Sequence, residues 1–231
     1  MGIISTFTPR ITPKTYLLFL SEDRIIVSVH GLNILGNPKP GKFREYPLDV
    51  SRPLSAQLQQ IARDFRPRKE DSCYLGLSLS YFSIVNFSLP GAARDNLDQA
   101  VHYALMRHIP HDLTDVYTSY HCEESGGQLL ISAVVCLKQY IQDLLESVAS
   151  AGITLFGIFP SLALLAYLQD ADGTFIACSP EETQVLTWND GAVAFHAFEK
   201  TQNPEDVRQF LLQTRIMLDN APHKDPGRFF L

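Results

Sequence analysis

The sequence predicts an α/β fold laid out twice, and three observations carry that prediction. Residues 15–79 spell strand, strand, strand, helix, strand. From residue 174 the same order starts again. Between the two copies, Phe87 to Pro160 form a block with a helix, a hairpin, a second helix and a strand of its own. With 231 residues, 45% of them hydrophobic and 19% charged, the chain can bury a sizeable core and has the composition of a globular protein.

In the first copy, Thr15–Leu20 and Arg24–His30 are β-rich runs separated by Ser21-Glu22-Asp23, which reads as a tight hairpin. Gly31 to Gly41 is a Gly/Pro/Asn loop, and Arg44–Tyr46 reads as a third short strand. Pro53 suits the first turn of a helix, where its missing N–H goes unneeded. That helix reaches about Phe65, with Leu54, Leu58, Ile61 and Phe65 on one face, and Pro67 stops it. Cys73–Leu79 returns as a buried strand.

The middle block opens on Ser83–Leu89, which alternates apolar and polar residues. A helix from about Asn96 to His108 aligns Leu97, Ala100, Val101, Ala104, Leu105 and His108, and Pro110 ends it. Val116–Cys122 and Gln128–Val135 form a hairpin over Gly126-Gly127. The helix Leu137–Ser150 places Tyr140, Ile141, Leu144, Leu145 and Val148 inward, with Gly152 as its stop. Ile153–Phe159 is a buried strand, and Ser161 caps a short helix to about Gln169.

In the second copy, Thr174–Cys178, Thr183–Trp188 and Ala192–Phe198 are strands, the last two joined by the turn Asn189-Asp190-Gly191. Pro204 opens a helix to about Leu218 with Val207, Phe210, Leu211, Thr214 and Leu218 at helical spacing. Arg228–Leu231 starts a further strand, and Phe229-Phe230-Leu231 is expected to continue the second sheet. Two β-β-β-α-β units in one chain are the structural repeat of the actin, Hsp70 and sugar-kinase fold.

Within that order, Phe87–Leu168 resembles the actin-like proteins of type IV pilus and type II secretion assembly. These are the PilM family and, more closely, the cytoplasmic part of the type II secretion L protein (the GspL family). The matching residues are Leu89-Pro90 before a helix and Tyr103 with His108-Ile109-Pro110 at that helix's end. Asp112 and Asp115 ahead of the Tyr120 strand, and Leu130–Val135 ending in Ala133-Val134-Val135, also match. So do the helix stop Ala151-Gly152 and Pro160 before Ser161-Leu162-Ala163-Leu164.

The resemblance implies an actin-like ATPase fold built of two RNase H-like halves. Residues 1–170 would form the first half, with an inserted α+β subdomain at about 81–135, and 171–231 a second, incomplete half. It also implies partners: the secretion ATPase through its N-terminal domain, and the inner-membrane platform proteins of the secretion or pilus system, with a homodimer left open. The L protein carries a membrane helix after its cytoplasmic part, so this chain reads as the cytoplasmic part of a single-pass protein at the bacterial inner membrane. The start MGIISTFTPRITPKT has no signal-peptide apolar core, and Gly2 with Ser5 and Thr6 fits a myristoylation pattern only loosely. The longest apolar run, Ile153–Leu168, is broken by Gly157, Pro160 and Ser161 and is too short to span a bilayer.

An actin-like ATPase needs two phosphate-binding hairpins, each with an Asp for the metal and glycines that let backbone amides approach the phosphates. Here the first hairpin is Leu20-Ser21-Glu22-Asp23-Arg24, with no glycine. The second is Ala177-Cys178-Ser179-Pro180-Glu181-Glu182, where Pro180 lacks an amide and two glutamates would repel phosphate. The expectation is a scaffold with no catalytic residue, no bound cofactor and no metal; the alternatives are a PilM-like pilus assembly protein that binds a membrane-protein peptide, and an actin-like nucleotide-binding protein whose hairpins use unusual residues.

Other motifs fail on chemistry. Gly36-Asn37-Pro38-Lys39-Pro40-Gly41-Lys42 has P-loop spacing, but Pro38 and Pro40 have no amide and Phe43 replaces the magnesium-binding hydroxyl. That stretch is expected to be an exposed turn. His102, His108, His111 and His121 lack ligand spacing, and Glu123-Glu124 reads as a solvated acidic tip. Cys73, Cys122, Cys136 and Cys178 show no CxxC pair. A net charge of −6 argues against general nucleic-acid binding, and Arg63, Arg66, Arg68 and Lys69 read as a solvated helix end.

Overall fold

The computed structural model describes residues 14–21, 23–32, 38–68, 70–169, 172–179, 182–219 and 228–230. Strands β1 (Lys14–Leu20), β2 (Arg24–Leu32) and β3 (Pro38–Pro47) form an antiparallel meander. Helix α1 (Leu54–Phe65) then crosses over to β4 (Ser72–Leu77), which pairs parallel with β1. The third strand is longer than expected and begins inside the anticipated loop. At its bulge against β2, a Cβ on Gly41 would collide with the Val29 carbonyl oxygen, so glycine lets the two backbones close up. The P-loop lookalike therefore lies partly in an edge strand rather than an exposed turn; Gly36 and Asn37 fall outside the described residues.

Helix α1 starts one residue later than expected. Pro53 is its N-cap, in extended backbone, and its carbonyl accepts from the Ala56 and Gln57 amides. The helix ends at Phe65 because Arg66 turns left-handed, with φ of 47°, and gives its amide to the Ala62 carbonyl. Pro67 disfavours a right-handed helical residue before it, which is why the break falls at Arg66. Strand β4 also stops early, at Leu77. Ser78 then caps the 3₁₀ turn Leu79–Tyr81, accepting from the Ser80 amide.

From that turn the chain enters a three-stranded antiparallel sheet, order β5-β7-β6, made of β5 (Phe82–Pro90), β6 (Val116–Ser125) and β7 (Gln128–Leu137). A 3₁₀ turn, Gly91–Asn96, leads into α2 (Leu97–His108), whose Val101 and Leu105 pack on one face of the sheet. Alternation gives this sheet two apolar faces. Val85, Phe87, Leu89, Ile131, Ala133 and Val135 meet α2, while Phe82, Ile84, Val134 and Cys136 join the main core.

Helix α3 (Lys138–Ser150) follows and lies beside α1, where Gln59 donates to the Ser150 carbonyl. Its end is a Schellman closure: the Gly152 amide bonds the Ala149 carbonyl, the Ile153 amide bonds the Val148 carbonyl, and Gly152 takes φ of 75°. Tyr140, expected inward, is 56% exposed, since packing on α3 is carried by Ile141 and Val148. Strand β8 (Leu155–Pro160) then pairs parallel with β4 and completes a five-stranded sheet, order β3-β2-β1-β4-β8.

Helix α4 (Ser161–Gln169) is apolar on most of its surface because it packs against strands of both large sheets, with Leu165 left exposed. Leu162, Ala163 and Ala166 belong to the main core, while Leu164 packs with Leu17, Tyr74 and Phe159 on the other face of the first sheet. The Ser161 hydroxyl, expected to cap this helix, donates instead to the Leu77 carbonyl at 3.0 Å and ties the helix to β4.

The last sheet, order β11-β10-β9-β12, contains β9 (Gly173–Cys178), β10 (Glu182–Asn189), β11 (Ala192–Lys200) and β12 (Arg228–Phe230). Helix α5 (Pro204–Asp219) contacts β10 and β11. Phe229 and Phe230 do extend this sheet, in register with Thr174 and Phe175; Leu231 lies outside the described residues. Phe175, Leu186, Trp188 and Val193 enter the same core as Leu75, Leu79 and Ile158, so the two large sheets share one interior. No helix among the described residues is long and apolar enough to cross a membrane.

Candidate functional site: the hairpin tips and the seam between the sheets

An actin-like ATPase would hold phosphate at the β1–β2 and β9–β10 tips. In this chain both tips are closed by side chains. At the first, the Ser21 amide donates to the Arg24 carbonyl at 3.0 Å and the Ser21 hydroxyl reaches Asp23 Oδ1 at 2.9 Å. The Arg24 guanidinium grips the same carboxylate through Nε and Nη2, the latter at 2.7 Å, and reaches Glu45 at 3.3 Å. The hydrogen bonds from Arg24 and Ser21 hold the Asp23 carboxyl well below its ordinary range, at about 2. Asp23 is charged at neutral pH, but its oxygens are already engaged by a neighbouring cation. Glu22 falls outside the described residues.

The second tip repeats the closure. The Ser179 amide donates to the Glu182 carbonyl at 2.8 Å, its hydroxyl donates to the same carbonyl, and the Glu182 amide bonds back to Ser179 Oγ. Here the carboxylate is turned across the seam. Glu182 Oε1 accepts from the Ser78 hydroxyl and from the Gln184 amide, both at 2.6 Å, and Gln184 Oε1 accepts from the Leu79 backbone amide at 3.0 Å. Pro180 and Glu181 lie outside the described residues.

Beyond this network the seam continues as packing. Leu77 from the first sheet and Leu79 from the 3₁₀ turn that follows it are fully buried, as is Leu186 from the last sheet. The Val193 carbonyl on β11 accepts from Asn86 Nδ2 at 3.1 Å and from the Ser132 hydroxyl at 3.3 Å, which fixes the three-stranded sheet against the last one. Polar groups on the β5 and β7 faces are thereby satisfied where they meet β11.

The sequence motifs set aside on chemistry have structural places. His108 stacks on Phe87 with ring centroids 5.3 Å apart, and His102 meets Tyr103 edge-on. Among the described residues no three His, Cys, Asp or Glu side chains gather as metal ligands would. Glu124, expected as part of a solvated tip, pairs with Arg94. Cys73 and Cys136 are buried, and burial pushes both thiols up to about 12, which leaves them unreactive at neutral pH.

Sequence reasoning found both tips but missed the Ser78–Glu182–Gln184 bridge and the role of Val193. One signal was present: a serine stands at the first position of each tip, Ser21 and Ser179.

The fold these sheets define is the actin-like ATPase fold, with two β-β-β-α-β units and an inserted α+β subdomain. It is shared with a Bacteroides thetaiotaomicron protein of that fold and unknown function, at a TM-score of 0.53 and 15% identity over 91% of this chain and 79% of that one. Two particular likenesses stand with it. One is the cytoplasmic domain of EpsL, an inner-membrane component of the type II secretion system of Vibrio cholerae. It gives a TM-score of 0.62 at 13% identity, over 94% of this chain and 80% of that one. The other is the PilM–PilN type IV pilus biogenesis complex, with a TM-score of 0.63 at 14% identity, over 89% of this chain and 66% of that one. The fold thus agrees with the resemblance read from Phe87–Leu168. No protein-family model and no curated protein matches this chain.

Proposed function

We propose that this chain is a non-catalytic adaptor: an actin-like scaffold on the cytoplasmic face of the inner membrane that recruits a secretion ATPase, through its N-terminal domain, to the platform of a type II secretion machine. The observation that carries the reading is the state of the two tips. Asp23 is held by Arg24 and Ser21, and Glu182 bridges to Ser78, so both carboxylates serve the fold. Among the described residues of each tip a phosphate would meet an engaged acid and a backbone closure, where an actin-like site uses a glycine-rich cradle of free amides. On this reading the chain divides at about residue 170, with the inserted subdomain at about 81–135. The fold likeness to the EpsL cytoplasmic domain supports the choice of system.

Calorimetric titration with ATP and magnesium tests the non-catalytic part, and the expected result is no saturable heat. Saturable micromolar binding would overturn it. Co-purification tests the partner: this chain should retain the N-terminal domain of the secretion ATPase.

The likeness to the PilM–PilN complex favours a second reading, in which the partner is the cytoplasmic peptide of a neighbouring membrane protein. Retention of that peptide with no retention of the ATPase domain would select it.

A further inference from the structure

The three sheets leave six edge strands among the described residues: β3 and β8, β11 and β12, β5 and β6. An edge strand shows a row of unpaired N–H and C=O groups, and proteins protect such rows with proline, charge, shortness or cover. Five of the six are protected in one of these ways. β3 carries Pro38, Pro40 and Pro47 with Lys39, Lys42, Arg44 and Glu45 among them. β8 is six residues long with Gly157 and Pro160, and β12 is three. β5 and β11 lie against each other, where Asn86 donates to the Val193 carbonyl.

β6 is the exception. It is ten residues long, and among the described residues it pairs only with β7. From 116 to 122 it has no proline and no Asp, Glu, Lys or Arg, and Val116, Tyr117, Thr118 and Tyr120 are of the types that favour strands. Lys138 closes the head of the strand by donating to the Thr114 carbonyl at 2.5 Å, so the open stretch starts at Val116. Thr118 is exposed at its middle. Val116 and Tyr120, two residues to either side, belong to the apolar face under α2.

We infer that β6 is the edge along which a second copy of this chain adds, antiparallel, joining two three-stranded sheets into one of six strands. The strand is complementary to its own reverse. With the two-fold axis at Thr118, that residue faces its own copy, and Val116 faces Tyr120 of the second copy. Tyr117 then faces Ser119 of the second copy, and Asp115 comes beside its His121. Thr–Thr and aromatic–β-branched pairs are favoured across strands, and each off-axis pair occurs twice in a two-fold contact. Since Val116 and Tyr120 already lie under α2, pairing extends that apolar face from one copy into the next. Charge helps to choose the register. An axis at Ser119 would set Asp115 against Glu123, and one at Tyr120 would set Val116 against Glu124. The inference does not depend on the adaptor reading.

Analytical ultracentrifugation of the whole chain over a concentration series tests it. A mass rising toward that of two chains is expected, with amide hydrogen exchange over 116–120 slowing as the concentration rises. Thr118→Lys sets two like charges against each other on the axis and should weaken association about tenfold, with the urea midpoint unchanged. Thr118→Val keeps a β-branched residue there and should associate as the original chain does, which separates the contact from a folding defect. The mass of one chain at every concentration would overturn the proposal. So would association that Thr118→Lys does not weaken, or exchange protection confined to another strand.

Discussion

At the tip of the five-stranded sheet, Ser21 turns its amide and hydroxyl onto the Arg24 carbonyl; at the tip of the four-stranded sheet, Ser179 does the same to Glu182. The backbone closures match, yet the acids at the two tips are used differently. Asp23 is neutralised inside its own hairpin by Arg24, whereas Glu182 leaves its hairpin and bonds Ser78 on the neighbouring sheet. One tip is self-contained and the other is a bridge. The comparison shows how two matching backbone closures can leave one acid local to its hairpin and send the other across to a neighbouring sheet.

The largest expected effect tests whether the seam is a single core. Leu79 is fully buried where the sheets meet, so Leu79→Ala should cost about 2–5 kcal/mol in urea unfolding. Trp188, the one tryptophan, reports from the last sheet, and its fluorescence should move together with the far-ultraviolet signal. Separate transitions would break the picture of a shared interior.

Next comes the bridge. Glu182→Ala leaves the Ser78 hydroxyl and the Gln184 amide without their acceptor and should cost about 1–3 kcal/mol. A double-mutant cycle with Ser78→Ala should show coupling; additivity would mean that the bridge contributes nothing across the seam.

Acid should act in two windows, one set by buried histidines and one by Asp23. His196 on β11 is held below its ordinary range by burial, so the unfolded chain takes up a proton that the folded chain refuses. Its contribution is present above about pH 6.5 and is lost as pH falls below that value. His196→Gln should flatten that part of the stability profile, and His30, lowered by burial on β2, should account for what remains.

The smallest effect concerns Asp23. Its lowered value means stability present above the ordinary carboxylate range, near pH 4, and lost as pH falls toward 2. Asp23→Asn should remove that slope. In Arg24→Gly the Asp23 carboxyl should titrate closer to 4 by NMR; an unchanged value would show that Arg24 is not what holds it.

Much of this was legible in the residues. Alternation, helical spacing and Gly/Pro punctuation located the α-helices and at least part of each strand among the described residues, because those signals are local, but not the 3₁₀ turns. The positions of the two tips and their lack of glycine could be read because both are local facts. Distant partners were not legible. Ser161 has the residue type and place of a helix cap, but its hydroxyl donates a hydrogen bond to the Leu77 carbonyl, 84 positions away. Tyr140 had the right spacing for the core, but α3 buries a narrower stripe than its apolar residues allow. Strand β3 hid in a proline-rich loop because its pairing with β2, bulge included, overrides the propensity of its own sequence.

The three-stranded sheet described above has a consequence for assembly in time. Its β6–β7 hairpin joins neighbours over a two-glycine turn and can form within microseconds. The β4–β8 pairing joins residues on either side of that entire block, so the first sheet cannot gain its last strand until the chain between has become compact. Since Phe82, Ile84 and Val134 wall the common interior, that interior is complete only once the inserted block is in place. A chain released before β8 emerges would leave the β4 edge unpaired, the kind of edge that other chains can pair with.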